Sequence, residues 1–215
     1  MQNKKLILGS LVVIIAIFVS LTFLYKSEKQ TEIVSSVSNI NELLVRDYSM
    51  KHGENKKNIY VVEFLDPECE SCALFSPVVR KLYKEYHEDI QIVIKYLANH
   101  KNSEFAIKLL EASREQNKYD EVLDVIFEKQ PLWAQHNNEK PELLWELLTA
   151  IPNLDIAKLK NDMNNPKYDE IINTDTSDAR KLGVRGTPTI FVNGVELKTL
   201  STKALFDLVE AEIYK

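Results

Sequence analysis

The sequence predicts an α/β fold in which a β-α-β unit, a block of helices and a β-β-α unit follow one another. Two short apolar runs, Ile59 to Leu65 and Ile90 to Leu97, are rich in β-branched and aromatic residues, as buried central strands are. Between them, from about Ser71 to His87, apolar residues recur at helical spacing, so the two strands should be parallel. From Ser103 to about Leu182 the pattern is almost wholly helical.

The last part of the chain predicts a hairpin and a closing helix. Thr189 to Val192 and Val195 to Leu197 flank the dipeptide Asn193-Gly194, which is the strongest short signal for a two-residue hairpin. A helix is expected after Ser201. At the other end of the fold, an extra strand or turn is expected around Leu43 to Tyr48, before the first long strand.

The N-terminal segment has the length and composition of a membrane span. Leu6 to Tyr25 contains twenty residues without a charge, which is enough for a helix to cross about 30 Å of hydrocarbon. We therefore expect an uncleaved anchor at residues 1–25, a polar tether at 26–42 and a folded domain at 43–215. The alternative is a cleaved signal peptide, although the apolar run exceeds the usual h-region and no A-x-A-like site follows it.

Composition limits the classes of function. With 215 residues, 45% of them hydrophobic, the chain can form one domain with a substantial core. The net charge of -5 comes without any long block of Lys and Arg, so a nucleic-acid partner is not expected.

The chain's two cysteines lie together in Cys69-Glu70-Ser71-Cys72, directly after a predicted strand and at the start of a predicted helix. A helix N-terminus stabilises a thiolate and lowers its pKa, which makes Cys69 the expected nucleophile. Cys72 lies one turn later on the same face and can resolve a mixed disulfide held by Cys69. The motif therefore predicts thiol-disulfide exchange.

A structural disulfide and half of a zinc site are the alternatives for this pair. A bridge that closes so short a loop would constrain the unfolded chain very little. Zinc would need two more ligands, and the four histidines are scattered without metal-ligand spacing, at His52, His87, His100 and His136. No metal site and no cofactor are expected.

Three segments, EFLDPECESCALFSP, GVRGTPTIFVNG and the LVRDYS that precedes the first strand, resemble the thioredoxin superfamily and its DsbA-like branch. The resemblance runs from about Leu44 to the C-terminus. It implies a thioredoxin-like fold in which the helical block at about 103–182 is an insertion between the two halves.

The resemblance also implies roles for single residues. Pro77 matches a kinking proline of the active-site helix, and Glu63 matches a buried acid that moves protons to and from Cys72. The alternative for Glu63 is a strand residue that faces solvent. Pro188 matches a cis-proline opposite the dithiol, and Thr187 before it would contact an extended substrate segment by strand addition.

The function that follows is an extracytoplasmic thiol-disulfide oxidoreductase acting on protein substrates with cysteines, single-pass in the cytoplasmic membrane with its domain on the periplasmic side. The family implies a membrane redox partner that resets the dithiol. Glu70-Ser71 replaces the proline and histidine of strongly oxidising members, so the direction of electron flow is not carried over. The rival functions are a redox-inactive chaperone or binding module and a copper-delivery protein.

Three carboxylates, Asp66, Glu68 and Glu70, lie within three residues of Cys69. Because like charge disfavours a thiolate, we expect them to raise the pKa of Cys69 above the value of about 3.5 found in strongly oxidising relatives. We likewise expect a reduction potential more negative than roughly -120 mV. If these carboxylates are exposed, solvent and salt should weaken both effects.

Overall fold

The structure is a computed structural model that describes Thr22 and residues 40–215. Apart from Thr22, the expected anchor at 1–25 and most of the tether at 26–42 lie outside the described residues. Within those described, no helix combines the length and the apolar character that a membrane span requires. Residues 43–215 form one compact unit.

A mixed sheet organises this unit. In the described residues it has five strands in the order β1-β3-β2-β4-β5. The strands β2 and β3 are parallel, and the other neighbours are antiparallel. The predicted β-α-β unit is therefore confirmed. The strands are β1 Met50–His52, β2 Ile59–Leu65, β3 Ile90–Tyr96, β4 Thr189–Val192 and β5 Val195–Glu196.

Helices form the rest of the unit, and six of them lie between β3 and β4, which confirms the predicted helical insertion. Short 3₁₀ turns follow two of the inserted helices, at Arg114–Gln116 and Leu148–Ala150. Apart from a short helix that ends at Leu44, the helices are α1 Glu70–Tyr86, α2 Ser103–Ser113, α3 Tyr119–Glu128, α4 Gln130–Trp133, α5 Leu143–Leu147, α6 Ile156–Asp162, α7 Lys167–Leu182 and α8 Thr202–Ile213.

The predicted hairpin and closing helix form where local chemistry favours them. Asn193 and Gly194 have φ values of 46° and 83°, the positive pair that a two-residue hairpin turn requires. The Asn193 side chain also accepts a hydrogen bond from Tyr60 N–H on β2. Ser201 caps α8 by accepting a hydrogen bond from Ala204 N–H.

Before β2, the expected strand or turn around 43–48 takes the form of a turn, and no strand forms within that range. A helix ends at Leu44, a turn lies at residues 47–48, and the strand β1 begins only at Met50, antiparallel to β3. The reason is tertiary. The side chains of Arg46 and Tyr48 bind carboxylates of α7, so this lead-in is held by side-chain contacts instead of by sheet pairing.

Candidate active site

The Cys69–Cys72 pair lies where β2 gives way to α1. Cys69 occupies the N-terminal capping position of α1, and its carbonyl accepts hydrogen bonds from Cys72 N–H and Ala73 N–H. Cys69 is 8% exposed and Cys72 is 0% exposed, and both are free thiols. The outer thiol alone can therefore be reached from solvent.

The loop before β4 meets this pair. The Thr187–Pro188 peptide bond is cis, and the Cys69 Sγ lies 3.3 Å from the carbonyl oxygen of Thr187. The register places it there, because Phe64 on β2 pairs with Thr189 on β4. The structure thus brings together Cys69, Thr187 and Pro188, which the sequence singled out separately.

The pKa values of the two thiols are shifted in opposite directions. Hydrogen bonds from the Cys72 thiol, from the Thr187 side chain and from backbone N–H groups of Cys72 and Ser71 lower the pKa of Cys69 to about 5, although partial burial opposes them. Burial raises the pKa of Cys72, and its hydrogen bond to Cys69 and the charge of Glu63 act in the same direction. At neutral pH the outer sulfur is a thiolate and the inner sulfur is a thiol.

Glu63 is the buried acid of the site. It lies on β2 with 4% exposure, so the alternative of a solvent-facing strand residue is wrong. Burial raises its pKa to about 8. Among the described residues, its Oε1 has no hydrogen-bond partner. A buried acid with such a pKa can take up or release a proton near neutral pH.

Two of the three carboxylates near Cys69 are not exposed, contrary to expectation. Asp66 is 0% and Glu68 is 4% exposed. Asp66 accepts hydrogen bonds from Glu68 N–H and Asn99 N–H and contacts the His100 ring. Glu68 accepts hydrogen bonds from both nitrogens of Asn102. These acids tie the active-site loop to the loop after β3, because buried carboxylates need donors.

The Cys69 pKa was expected to be raised by the negative charge of these carboxylates, but a different cause opposes ionisation in the structure. The value of about 5 lies above 3.5 as expected, but partial burial is what works against ionisation. Glu70 is exposed as expected, and its Oε1 lies 2.9 Å from the Nε2 of His136. The expected influence of Glu70 is thus weakened by both solvent and a neighbouring imidazole.

Sequence reasoning missed two histidines beside the site. The rings of His100 and His136 lie 6.3 Å apart, and the Nδ1 of His100 is 2.7 Å from the Oδ2 of Asp66. Burial would lower the His100 pKa, but its hydrogen bond to Asp66 and the charges of Asp66 and Cys69 raise it overall. The sequence does contain one signal for His100. His100 follows β3 as Cys69 follows β2, and because the two strands are parallel, the residues that follow them lie at the same edge of the sheet.

The described residues contain no group of three or more side chains arranged to hold a metal ion.

Comparison with known proteins places the chain in a family. Residues 46–211 match a family model described as Thioredoxin. A candidate protein-disulfide oxidoreductase of Rickettsia conorii is 29% identical over 174 residues, which cover 77% of this chain and 61% of that protein. Disulfide bond formation protein D of Bacillus subtilis is 25% identical over 169 residues, covering 76% of this chain and 74% of that protein.

The Rickettsia relatives are longer, and the chain spans about three fifths of their length. Oxidised BdbD of Bacillus subtilis has a TM-score of 0.69 at 24% identity, covering 78% of this chain and 94% of that one. Wolbachia pipientis α-DsbA1 also has a TM-score of 0.69, at 20% identity, covering 81% and 98%. These two likenesses support the fold. The chain belongs to the thioredoxin family.

Proposed function

We propose that the chain is a protein thiol-disulfide oxidoreductase that works through Cys69 and Cys72. Cys69 attacks, Cys72 resolves and Glu63 exchanges the proton of Cys72. Thr187 and Pro188 hold an extended segment of the substrate protein beside Cys69. The names of the relatives from Rickettsia and Bacillus point to the same chemistry in those proteins.

The observation that carries the proposal is the difference between the two thiols. The Cys69 pKa of about 5 makes its sulfur a thiolate at neutral pH, while the inner Cys72 keeps its proton. Only a thiolate attacks a disulfide, so the attacking role belongs to Cys69. A structural cysteine pair or a redox-inactive binding module has no need of this asymmetry.

The reaction balances without a cofactor. The Cys69 thiolate attacks a substrate disulfide, forms a mixed disulfide and releases one substrate sulfur as a thiolate. Glu63 as a carboxylate takes the proton of Cys72, and the Cys72 sulfur attacks the Cys69 sulfur, releasing the second substrate thiolate. The substrate gains two electrons and the pair becomes a disulfide. The reverse sequence oxidises a substrate dithiol, and a membrane redox partner would reset the pair in either case.

The compartment belongs to the same proposal. The uncharged run from Leu6 to Tyr25 is long enough for a membrane anchor, with residues 43–215 on the extracytoplasmic side, where disulfides persist. Washing membranes with high salt should leave the chain attached. A shortened soluble chain that begins beyond residue 25 would instead identify a cleaved signal.

Trapping of mixed disulfides tests the central claim. Cys72→Ser should accumulate adducts between Cys69 and substrate proteins on non-reducing gels, because the resolving thiol is gone. Cys69→Ser is the matched control and should trap none. Equal adducts in the two variants would contradict the assignment of roles. The reduction potential of the wild-type pair, measured against glutathione, then gives the direction of electron flow.

A further inference from the structure

A cavity of about 270 Å³ lies behind the active-site helix, between the sheet, α1 and α3. It is separate from the surface where Cys69 meets Thr187, and neither of those residues lines it. Most of its wall is apolar, formed by Leu65, Val79, Ile92, Ile94, Leu123 and Phe127.

One polar group stands out in this wall. Glu63 lines the cavity, is 4% exposed, and in the described part of the chain its Oε1 has no hydrogen-bond partner. Buried polar atoms without a partner are rare and costly, since a native structure usually supplies a donor or an acceptor. An occupant of the cavity could supply it.

The rim of the cavity is charged. Arg80 of α1 forms an ion pair with Asp124 of α3, and the Nε2 of His52 lies 3.4 Å from the Oδ1 of Asp120. Asp120, Arg80 and Asp124 are all well exposed, with 66%, 47% and 47% of their side chains accessible. The cavity therefore opens to solvent between α1 and α3, and Tyr83 also lines it.

We infer that this cavity is a binding site for a small organic monocation with one aromatic ring, whose charged head reaches Glu63. A dry cavity of about 150 Å³ lined by aliphatic and aromatic residues accommodates benzene, so the larger volume here accommodates a ring with a head group. Among the lining carboxylates, Asp124 pairs with Arg80 and Asp120 lies against His52, which leaves Glu63 to bind a cation. An amidinium suits Glu63 because it can donate two parallel hydrogen bonds to a carboxylate.

The inferred site should respond to pH. Glu63 has a pKa of about 8 without an occupant, and the cation pairs with its ionised form. The ionised fraction grows on the order of 20-fold between pH 6.5 and pH 8.5, and the affinity should grow with it. The other titratable or charged groups near Glu63 or on the cavity wall are Cys72, His52, Arg80, Tyr83, Asp120 and Asp124.

Occupancy would also affect catalysis, a consequence that rests on the proposed function. A Glu63 carboxylate held by a cation is a weaker base, so it would accept the Cys72 proton more slowly. Resolution of the mixed disulfide should then slow, while attack by Cys69 should not.

Calorimetric titration of the reduced full chain with benzamidine and with neutral benzamide tests the site. Benzamidine should bind more tightly than benzamide, and its affinity should rise on the order of 20-fold from pH 6.5 to pH 8.5. Glu63→Gln should abolish this rise, since the amide cannot ionise. Glu70→Gln, which removes one exposed carboxylate outside the cavity, should keep it.

A second variant keeps the test independent of charge. Leu123→Trp should fill the cavity and abolish binding while leaving Glu63 in place. Three results would overturn the inference: equal affinity for the two compounds, a wild-type affinity independent of pH, or a pH-dependent rise that persists in Glu63→Gln. Binding retained in Leu123→Trp would overturn it as well. Because binding is measured without thiol exchange, such a result would leave the trapping experiment to decide the proposed function separately.

Discussion

Two buried ionisable residues on adjacent parallel strands have opposite surroundings. Lys95 on β3 and Glu63 on β2 are 0% and 4% exposed. Lys95 pairs in register with Phe64, so the alternation of a strand points Glu63 to the other face of the sheet. The Lys95 Nζ lies 2.6 Å from Asp175 and 2.7 Å from Asp178. Glu63 has a carboxyl oxygen with no partner among the described residues.

The difference shows how partners determine what a buried charge does. On the α7 face, Arg46 also binds Asp178, so the Lys95 cluster joins the lead-in, β3 and α7 through fixed charges. On the α1 face, no cation in the described part of the chain pairs with Glu63, and burial raises its pKa to about 8. The paired charges fix geometry. The unpaired acid instead holds a proton that can move at neutral pH.

The largest effect on the free energy of unfolding should come from removing the ammonium group of Lys95. Lys95→Met leaves Asp175 and Asp178 buried without their ammonium partner, which typically costs about 3 to 5 kcal/mol. Denaturant unfolding measures it, with exposed Lys84→Met as the control. Adding Asp175→Asn and Asp178→Asn to Lys95→Met should recover part of the loss. Equal unfolding midpoints for the Lys95 and Lys84 variants would show that the cluster does not stabilise the fold.

Replacing the ionisable group on the unpaired side should instead remove a loss of stability that begins above about pH 4.5. The folded-state pKa of Glu63, about 8, lies above its ordinary 4.5, so folding favours the protonated form. Stability present below pH 4.5 is lost as the pH rises, by about 3 kcal/mol at pH 7. Glu63→Gln should lack this loss. Unfolding free energies of both proteins from pH 4.5 to pH 8 measure it, and parallel curves would contradict the unpaired state of Glu63.

A smaller effect is expected at His100, whose ring is held by Asp66 at the edge of the site. Its raised pKa favours an imidazolium, which stabilises the Cys69 thiolate. His100→Asn should therefore raise the Cys69 pKa, but less than Cys72→Ala, which removes the strongest hydrogen bond to that sulfur. Thiolate absorbance titration measures both.

The control for His100 is Glu70→Gln, which removes an exposed carboxylate that already lies against an imidazole. It should lower the Cys69 pKa only slightly, and high salt should abolish the change. A His100 variant indistinguishable from wild type would mean that the hydrogen bonds at the helix N-terminus alone set the acidity of Cys69.

The sequence by itself determined the elements whose signals are local. The strands at 59–65 and 189–192 were predicted to the residue, and the Asn193-Gly194 turn adopts the predicted geometry. Hydrophobic patterns with periods of two and 3.6 residues indicate strands and helices, and turn residues indicate hairpins. All of these signals lie within a few positions of one another in the sequence. The placement of Cys69 at a helix N-terminus follows from the same kind of signal.

Only the tertiary structure decided which polar side chains are partners. Asp66 and Glu68 read as exposed charges in the sequence, yet both are buried by the loop after β3. Lys95 donates a hydrogen bond to Asp178, which is 83 positions away in the sequence, and Arg46 donates to the same carboxylate from 132 positions away. A carboxylate accepts a hydrogen bond from any donor that the fold brings near it. Its burial and its pKa are therefore set by three-dimensional proximity, which no local pattern in the sequence encodes.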